Sequence, residues 1–478
     1  MSRIAMIGAG SLVFAKTLMA DMLATEALAG SEFALMATTH TRLDRMQAFV
    51  QRMIDHNGLK ATVRSTTSRR EALQDADYVI SMIKVGGNEA FGFDYNIPMK
   101  YGVDQCIGDT MGPGGIFRAL RHIPMLMDLA YDMRELCPRA TLLNYANPMA
   151  MCCWALGQVP GLRFVGLCHG VQTTLDLIAR YCGVKKEEID FLNAGINHMD
   201  WFLKLKHRGR DLYPLLREKF ELPEYYINEK VRGEVFRHFG YFMTESSGHL
   251  SEYLPYFRKN RKALDTYCDQ PGFGGESGAA YRNGLKTAEK FAQFDPLSIE
   301  TTELSERSAE YCSHIIEALE TGVPFRFSGN VRNDNYITNL PNGACVEVPV
   351  YADRMGLHPT TIGELPPQLA ALCMSNVQCQ GVATEAAIQG DPELLMQAVA
   401  LDPLTSAVLT LEEIRRMVGE MLEAERPWLP QFEGATLRPI PMISIPEGTK
   451  GVDVPLDPAL AIANRFIKLA KAKAPEKE

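Results

Sequence analysis

The chain starts on Ile4-Ala5-Met6-Ile7-Gly8-Ala9-Gly10-Ser11, a short apolar run that stops on glycines just ahead of a helical pattern from Leu12 to Leu23. A strand that ends in a glycine turn and feeds a helix is the first half of a βαβ unit. The turn lets backbone approach a pyrophosphate, whose charge then sits at the helix amino terminus. Gly8, Gly10, Ser11 and Leu12 are therefore the expected cofactor contacts. The third glycine of the usual fingerprint would fall at Val13, so the reading rests on the position of the turn as well as on the motif.

The following segments continue the alternation. Phe33–Met36 and Tyr78 to Ile83 read as strands, and Gly115 to Leu136 reads as a long helix with Ile116, Leu120, Ile123, Met127 and Leu129 on its apolar side. Thr141 to Asn144 and Phe164 to Leu167 are further short apolar runs bounded by turns. Such alternation predicts an α/β fold with a Rossmann-type, doubly wound parallel sheet. After His198 the pattern changes. Trp201 to Lys206 alternates like a sheet edge, and mixed segments rich in aromatics follow near Tyr225 to Phe242. At 478 residues the chain exceeds one ordinary core. The expected division is a dinucleotide-binding domain over 1–198 and a second, α+β domain for substrate and oligomerisation over 199–478. The charged tail Lys468 to Glu478 is expected to fray.

With 58 acidic against 49 basic side chains, the net charge is −9. That balance gives no electrostatic reason to expect nucleic acid or an anionic membrane as partner. The first apolar segment is cut by Arg3, Lys16 and Asp21, which argues against a signal peptide or a span. The 11 cysteines are scattered, odd in number and form no CxxC pair, which fits a reducing, cytoplasmic compartment.

The second strand should end in Asp or Glu to hold the adenosine ribose. Here the chain runs Ala37-Thr38-Thr39-His40-Thr41-Arg42. Thr38 or Thr39 hydroxyls substitute for the acid, and Arg42 with His40 would tolerate a 2′-phosphate. Both NAD and NADP stay open.

Cys168 follows a strand's carboxyl end, where doubly wound sheets place ligands, and Gly195-Ile196-Asn197-His198 supplies an imidazole. Two protein donors are too few for a closed zinc site but suit a labile divalent ion completed by water and substrate oxygens, with manganese the natural choice. Gly108-Asp109-Thr110-Met111-Gly112-Pro113-Gly114-Gly115 is a loop able to approach a ligand closely, with Asp109 its candidate substrate contact. Asn144-Tyr145-Ala146-Asn147-Pro148-Met149 ends a strand and offers the Asn147 amide to substrate hydroxyls or to the cofactor. Thr244-Glu245-Ser246-Ser247-Gly248-His249 and Glu252-Tyr253 crowd acid–base groups into one segment, for which a solvated loop is the simpler reading.

In this order these motifs resemble glycoside hydrolase family 4, its α-galactosidase, α-glucosidase and α-glucuronidase branches above all. Gly329-Asn330-Val331-Arg332-Asn333-Asp334 and Leu340-Pro341-Asn342-Gly343 continue the match, which reaches about Leu429. The resemblance implies a lactate/malate-dehydrogenase-like fold, NAD, a divalent metal that is usually manganese, and a homodimer or homotetramer. It also implies hydrolysis by transient oxidation at carbon 3 of the sugar, removal of the carbon 2 proton, elimination, water addition and return of the hydride, an exception to two-carboxylate catalysis.

On that resemblance Cys168 and His198 are metal ligands, His169 donates a proton to the leaving oxygen, and Tyr253 is the base. Asn147 and Asn197 bind sugar hydroxyls, and Arg332 holds a polar substituent. An acid that some relatives carry near Ser247 is missing. The residue after Cys168-His169 tracks substrate in the family, with serine in α-galactosidases and glycine in α-glucuronidases. Gly170 therefore leaves the sugar open, with room for a carbon 6 carboxylate. Phosphorylated sugars are disfavoured, because their Cys-Asn or Cys-Asp pairing is absent. Two rivals remain. One is a hydroxy-acid or sugar dehydrogenase with net redox, using His198 with Asp200; the other is a non-catalytic sugar or nucleotide sensor.

Overall fold

The computed structural model describes residues 1–10, 14–292, 303–304, 306–452 and 458–472. The chain forms two compact units, Met1–Leu437 and Arg438–Glu478. In the smaller one, a helix spans Pro458–Ala472, so Lys468–Ala472 of the tail expected to fray are helical.

In the larger unit, β1 (Arg3–Ile7), β2 (Glu32–Met36), β3 (Thr62–Thr66), β4 (Tyr78–Ser81), β5 (Thr141–Asn144) and β6 (Arg163–Gly166) pair in parallel in the order β3-β2-β1-β4-β5-β6. This is the doubly wound dinucleotide-binding order. Ile4, Met6, Leu35, Ile80, Leu143 and Val165 are buried along these strands among Leu18, Leu120 and Ile123 of the covering helices. Each contributes about 1.5–3 kcal/mol by leaving water. β3, Thr-Val-Arg-Ser-Thr, escaped the sequence reading because an edge strand half in solvent carries no apolar run.

The sheet then continues with β7 (Ile189–Ile196), β8 (Met199–His207), β9 (Arg210–Asp211), β10 (Phe325–Arg332), β11 (Cys345–Asp353) and β12 (Gly356–Pro359). The order beyond β6 is β10-β11-β7-β8-β9, with β12 on β11 and antiparallel pairing throughout. A single register pair, Asn330 with Gly166, joins the two halves. β7 and β8 form a hairpin turning at Asn197 and His198.

The long helix begins at Gly112, earlier than the expected Gly115, so the glycine loop is itself the first turn. A Cβ on Gly115 would lie 2.5 Å from the Thr110 carbonyl carbon, so only glycine lets the helix close onto the loop. Three backbone amides of the preceding segment, those of Cys106, Ile107 and Gly108, donate to the Glu252 carboxylate at 2.6, 2.6 and 3.0 Å. That carboxylate ties the loop to the helix Ser247–Tyr253.

Candidate active site

Three segments bring their side chains together beyond the carboxyl end of β6. Cys168 is gripped through its backbone: its N–H donates to the Tyr311 hydroxyl at 3.1 Å, and that hydroxyl donates to the Cys168 carbonyl at 2.5 Å. His198 sits in the β7–β8 turn with φ +64°, and Glu245 has φ +70°. Left-handed backbone at a residue other than glycine costs of order 1–3 kcal/mol and concentrates at functional sites. His198 Nδ1 lies 3.4 Å from Thr110 Oγ1, and its Nε2 faces Glu245 Oε1 at 4.0 Å. Glu245 Oε1 is 3.6 Å from Cys168 Sγ. The ligand atoms of Cys168, His198 and Glu245 all lie within 4.8 Å of one another.

Burial, and then the Glu245 charge, push the Cys168 thiol well above its ordinary range. Burial and the facing His249 bring His198 down to about 4, so its ring is neutral near pH 7. Burial opposes the Glu245 carboxylate, but His198, His249 and Arg232 outweigh it and hold the group at about 2. A neutral imidazole beside a thiol that a divalent cation would deprotonate is a suitable donor pair, and the Glu245 carboxylate lies within reach of both. The donor set fits the expected metal. Glu245 is an addition to the donors read from the sequence, where it stood in a stretch read as solvated loop.

The remaining candidates surround this cluster. Asn197 is buried; its amide donates to Glu347 Oε2 at 3.3 Å, while its Oδ1 has no hydrogen-bond partner. Asn147 donates to Asp109 Oδ2 at 3.3 Å, and Arg118 approaches the same oxygen at 3.5 Å. Asp109 Oδ1 is buried without a partner. His122 locks this corner. Its Nε2 accepts from the Val85 N–H at 3.0 Å, so its Nδ1–H donates to the Asn147 carbonyl at 2.5 Å. Burial holds that ring neutral, as the two bonds require. Tyr253 is buried, its ring centroid 6.3 Å from that of His198, and burial raises its phenol well above the ordinary value. His169, more exposed, hydrogen-bonds Glu310 through Nε2, and that bond raises its pKa.

Two residues stand apart. Arg332 is exposed and donates to the Gly157 carbonyl at 2.8 Å and to Asp334 at 3.1 Å. It lies two residues beyond Asn330 on β10, which is antiparallel to β6 and so runs away from the cluster. Asp200 pairs not with His198 but with Asn193, at 2.5 Å, which removes the histidine–aspartate pair that a dehydrogenase needs.

On the cofactor side, the Gly8 and Ala9 N–H groups both donate to the Met36 carbonyl at 2.9 Å. Gly8 has φ +95°, and a Cβ there would meet the Met82 carbonyl oxygen at 2.7 Å. Gly10 stands over Ala37, whose Cβ would be 3.4 Å from one placed on it, so the end of β2 presents no acid. Thr38 is exposed beside it; Ser11 and Leu12 lie outside the described residues. The turn sits at the carboxyl edge where the strand order reverses, the place a dinucleotide occupies in such sheets.

Sequence reasoning passed over Glu245, Glu310, Tyr311, His122 and Glu347 as site residues. Only Glu245 had a local signal, the acid–base-rich stretch around it.

Comparison with known proteins identifies the family. Residues 3–184 match the family 4 glycosyl hydrolase model, and residues 193–405 match the family 4 glycosyl hydrolase C-terminal domain. An alpha-galactosidase of Rhizobium meliloti (strain 1021) is 42% identical over 91% of this chain and 90% of its own. An alpha-galactosidase of Bacillus subtilis (strain 168) is 42% identical over 91% of this chain and 100% of its own. The same fold occurs in a 6-phospho-beta glucosidase of Thermotoga maritima, solved with manganese, NAD+ and glucose-6-phosphate (TM-score 0.74, 23% identity, 89% and 99% of the two chains). With both halves of the chain matched by the family models and full-length relatives at this identity, the chain belongs to glycosyl hydrolase family 4.

Proposed function

We propose that this enzyme is an NAD- and divalent-metal-dependent α-glycosidase acting on α-galactosides. The observation that carries this reading is the convergence of Cys168, His198 and Glu245 beside the dinucleotide edge of the sheet. The two relatives named alpha-galactosidases support the sugar. When bound, NAD supplies reversible hydride uptake at carbon 3, and manganese or a similar cation held by Cys168 and His198 supplies Lewis acidity at the neighbouring oxygens.

The protein's own groups do the rest. Asn147, Asn197 and Asp109 hold sugar hydroxyls, with the unpartnered Asn197 Oδ1 and Asp109 Oδ1 as acceptors. Tyr253 takes the carbon 2 proton, and its buried phenol needs the cation nearby to become a base. His169, held by Glu310, delivers a proton to the leaving oxygen. Gly8, Gly10, Ser11, Leu12 and Thr38 seat the coenzyme, and the absent ribose acid leaves NADP as an alternative.

We place the coenzyme-binding domain at 1–198 and the substrate and oligomerisation domain at 199–478, in a cytoplasmic homodimer or homotetramer. Among the described residues no helix is long and apolar enough to cross a membrane, and all 11 cysteines are free thiols.

The test is a 4-nitrophenyl α-galactoside with NAD and manganese, run beside the α-glucoside and α-uronide. Phenol release without accumulating NADH supports the hydrolase. Steady NADH growth would make it a dehydrogenase, and binding with neither signal would make it a sensor.

A further inference from the structure

Gly170 opens the helix Gly170–Cys182 directly after Cys168 and His169. Its backbone does not require glycine, since it is not among the positive-φ positions. What stands in the place of a side chain there is Glu245. A Cβ on residue 170 would lie 2.5 Å from Glu245 Oε1, 2.8 Å from its Cγ and 3.0 Å from its Cδ. The whole end of the acid, not one mobile atom, fills that space. Glu245 is fixed there by its left-handed backbone and by His249 Nδ1, 3.2 Å from Oε2.

From this reciprocal fit we infer that Glu245 is a third protein donor to the divalent cation and that Gly170 is the seat admitting it. The inference rests on the metal reading given above. It also reassigns Gly170, because the volume the missing side chain leaves is occupied by this acid and not free for a carboxylate on the sugar. Thiolate, imidazole and carboxylate together cancel the two positive charges, whereas thiolate and imidazole alone would leave one. A charge-balanced centre with three protein donors and open positions is the pattern of catalytic metal sites. Such a centre offers no net attraction to an anionic sugar.

The experiment is Mn(II) binding to the purified full-length protein, followed by calorimetry and by the electron paramagnetic resonance signal of free ion, without coenzyme or sugar. Glu245→Gln, which keeps the shape, and Glu245→Ala should each weaken binding by roughly 10–100-fold or more. Gly170→Ser, with Gly170→Ala as the smaller change, should weaken it comparably by displacing the acid. The double variant Gly170→Ser/Glu245→Ala should bind no worse than Glu245→Ala. Circular dichroism identifies variants that fold. If Cys168→Ser and His198→Ala lose manganese while the Glu245 and Gly170 variants keep wild-type affinity, the inference fails and the metal reading stands. If the unaltered protein binds no manganese, both fall.

Discussion

His169 and Glu310 form a hydrogen-bonded ion pair at the rim of the site, with the acid the more enclosed partner: side-chain exposures are 44% and 12%. The pair fixes the ring beside Tyr145, on which it stacks at a 27° interplanar angle. Glu310→Gln should free the ring and lower its proton affinity, because the acid is the main cause of the raised His169 pKa. Turnover of methyl α-galactoside, whose leaving group needs a proton, should fall on the order of 100-fold. The 4-nitrophenyl substrate should change by less than about 3-fold, and the alkaline limb of the methyl-glycoside profile should move to lower pH. Equal losses on both substrates would remove His169 as the acid.

Cys168→Ser should abolish nearly all turnover while the far-ultraviolet dichroism stays unchanged, since the backbone grip of Tyr311 does not involve the thiol. EDTA should reproduce the defect in the unaltered enzyme, and manganese should reverse it there but not in the variant. Full metal-dependent activity in Cys168→Ser would overturn the ligand assignment.

Tyr253→Phe should slow the entry of deuterium at carbon 2 when substrate turns over in heavy water. The variant keeps the ring in its buried place and removes only the hydroxyl. Exchange at the original rate would shift the role of base to another group.

Glu347 gives a pH signature of stability. Burial pushes its carboxyl up from 4.5 to about 8, with the Asn197 amide opposing. Between those values the folded chain keeps a proton that the unfolded chain has released, so this group's contribution to stability falls as pH rises through that window. Glu347→Gln retains a partner for Asn197 and removes the slope. Thermal midpoints measured in EDTA should therefore shift in favour of the variant between pH 5 and pH 8. Parallel curves for the two proteins would assign the proton elsewhere.

How much of this was legible in the sequence depended on range. β1, β2, β4, β5 and β6 announced themselves because buried parallel strands are continuous apolar runs, and the glycine turn, Cys168 and His198 follow strand ends directly. β3 did not, being polar at the sheet edge. Glu310 and Tyr311 are brought to Cys168 and His169 only by tertiary contact. Glu347 reaches the site because β11 pairs with β7 opposite Gly195, a register no local pattern encodes. Arg332 shows the converse, a residue inside a matching motif that strand direction carries away from the cluster.

The Glu252 carboxylate, gripping three successive amides, makes the glycine loop and the Tyr253 helix one mechanical part. Under the roles proposed for Asp109 and Tyr253, the groups that recognise a hydroxyl and take up a proton would be carried by two segments that one buried carboxylate ties together.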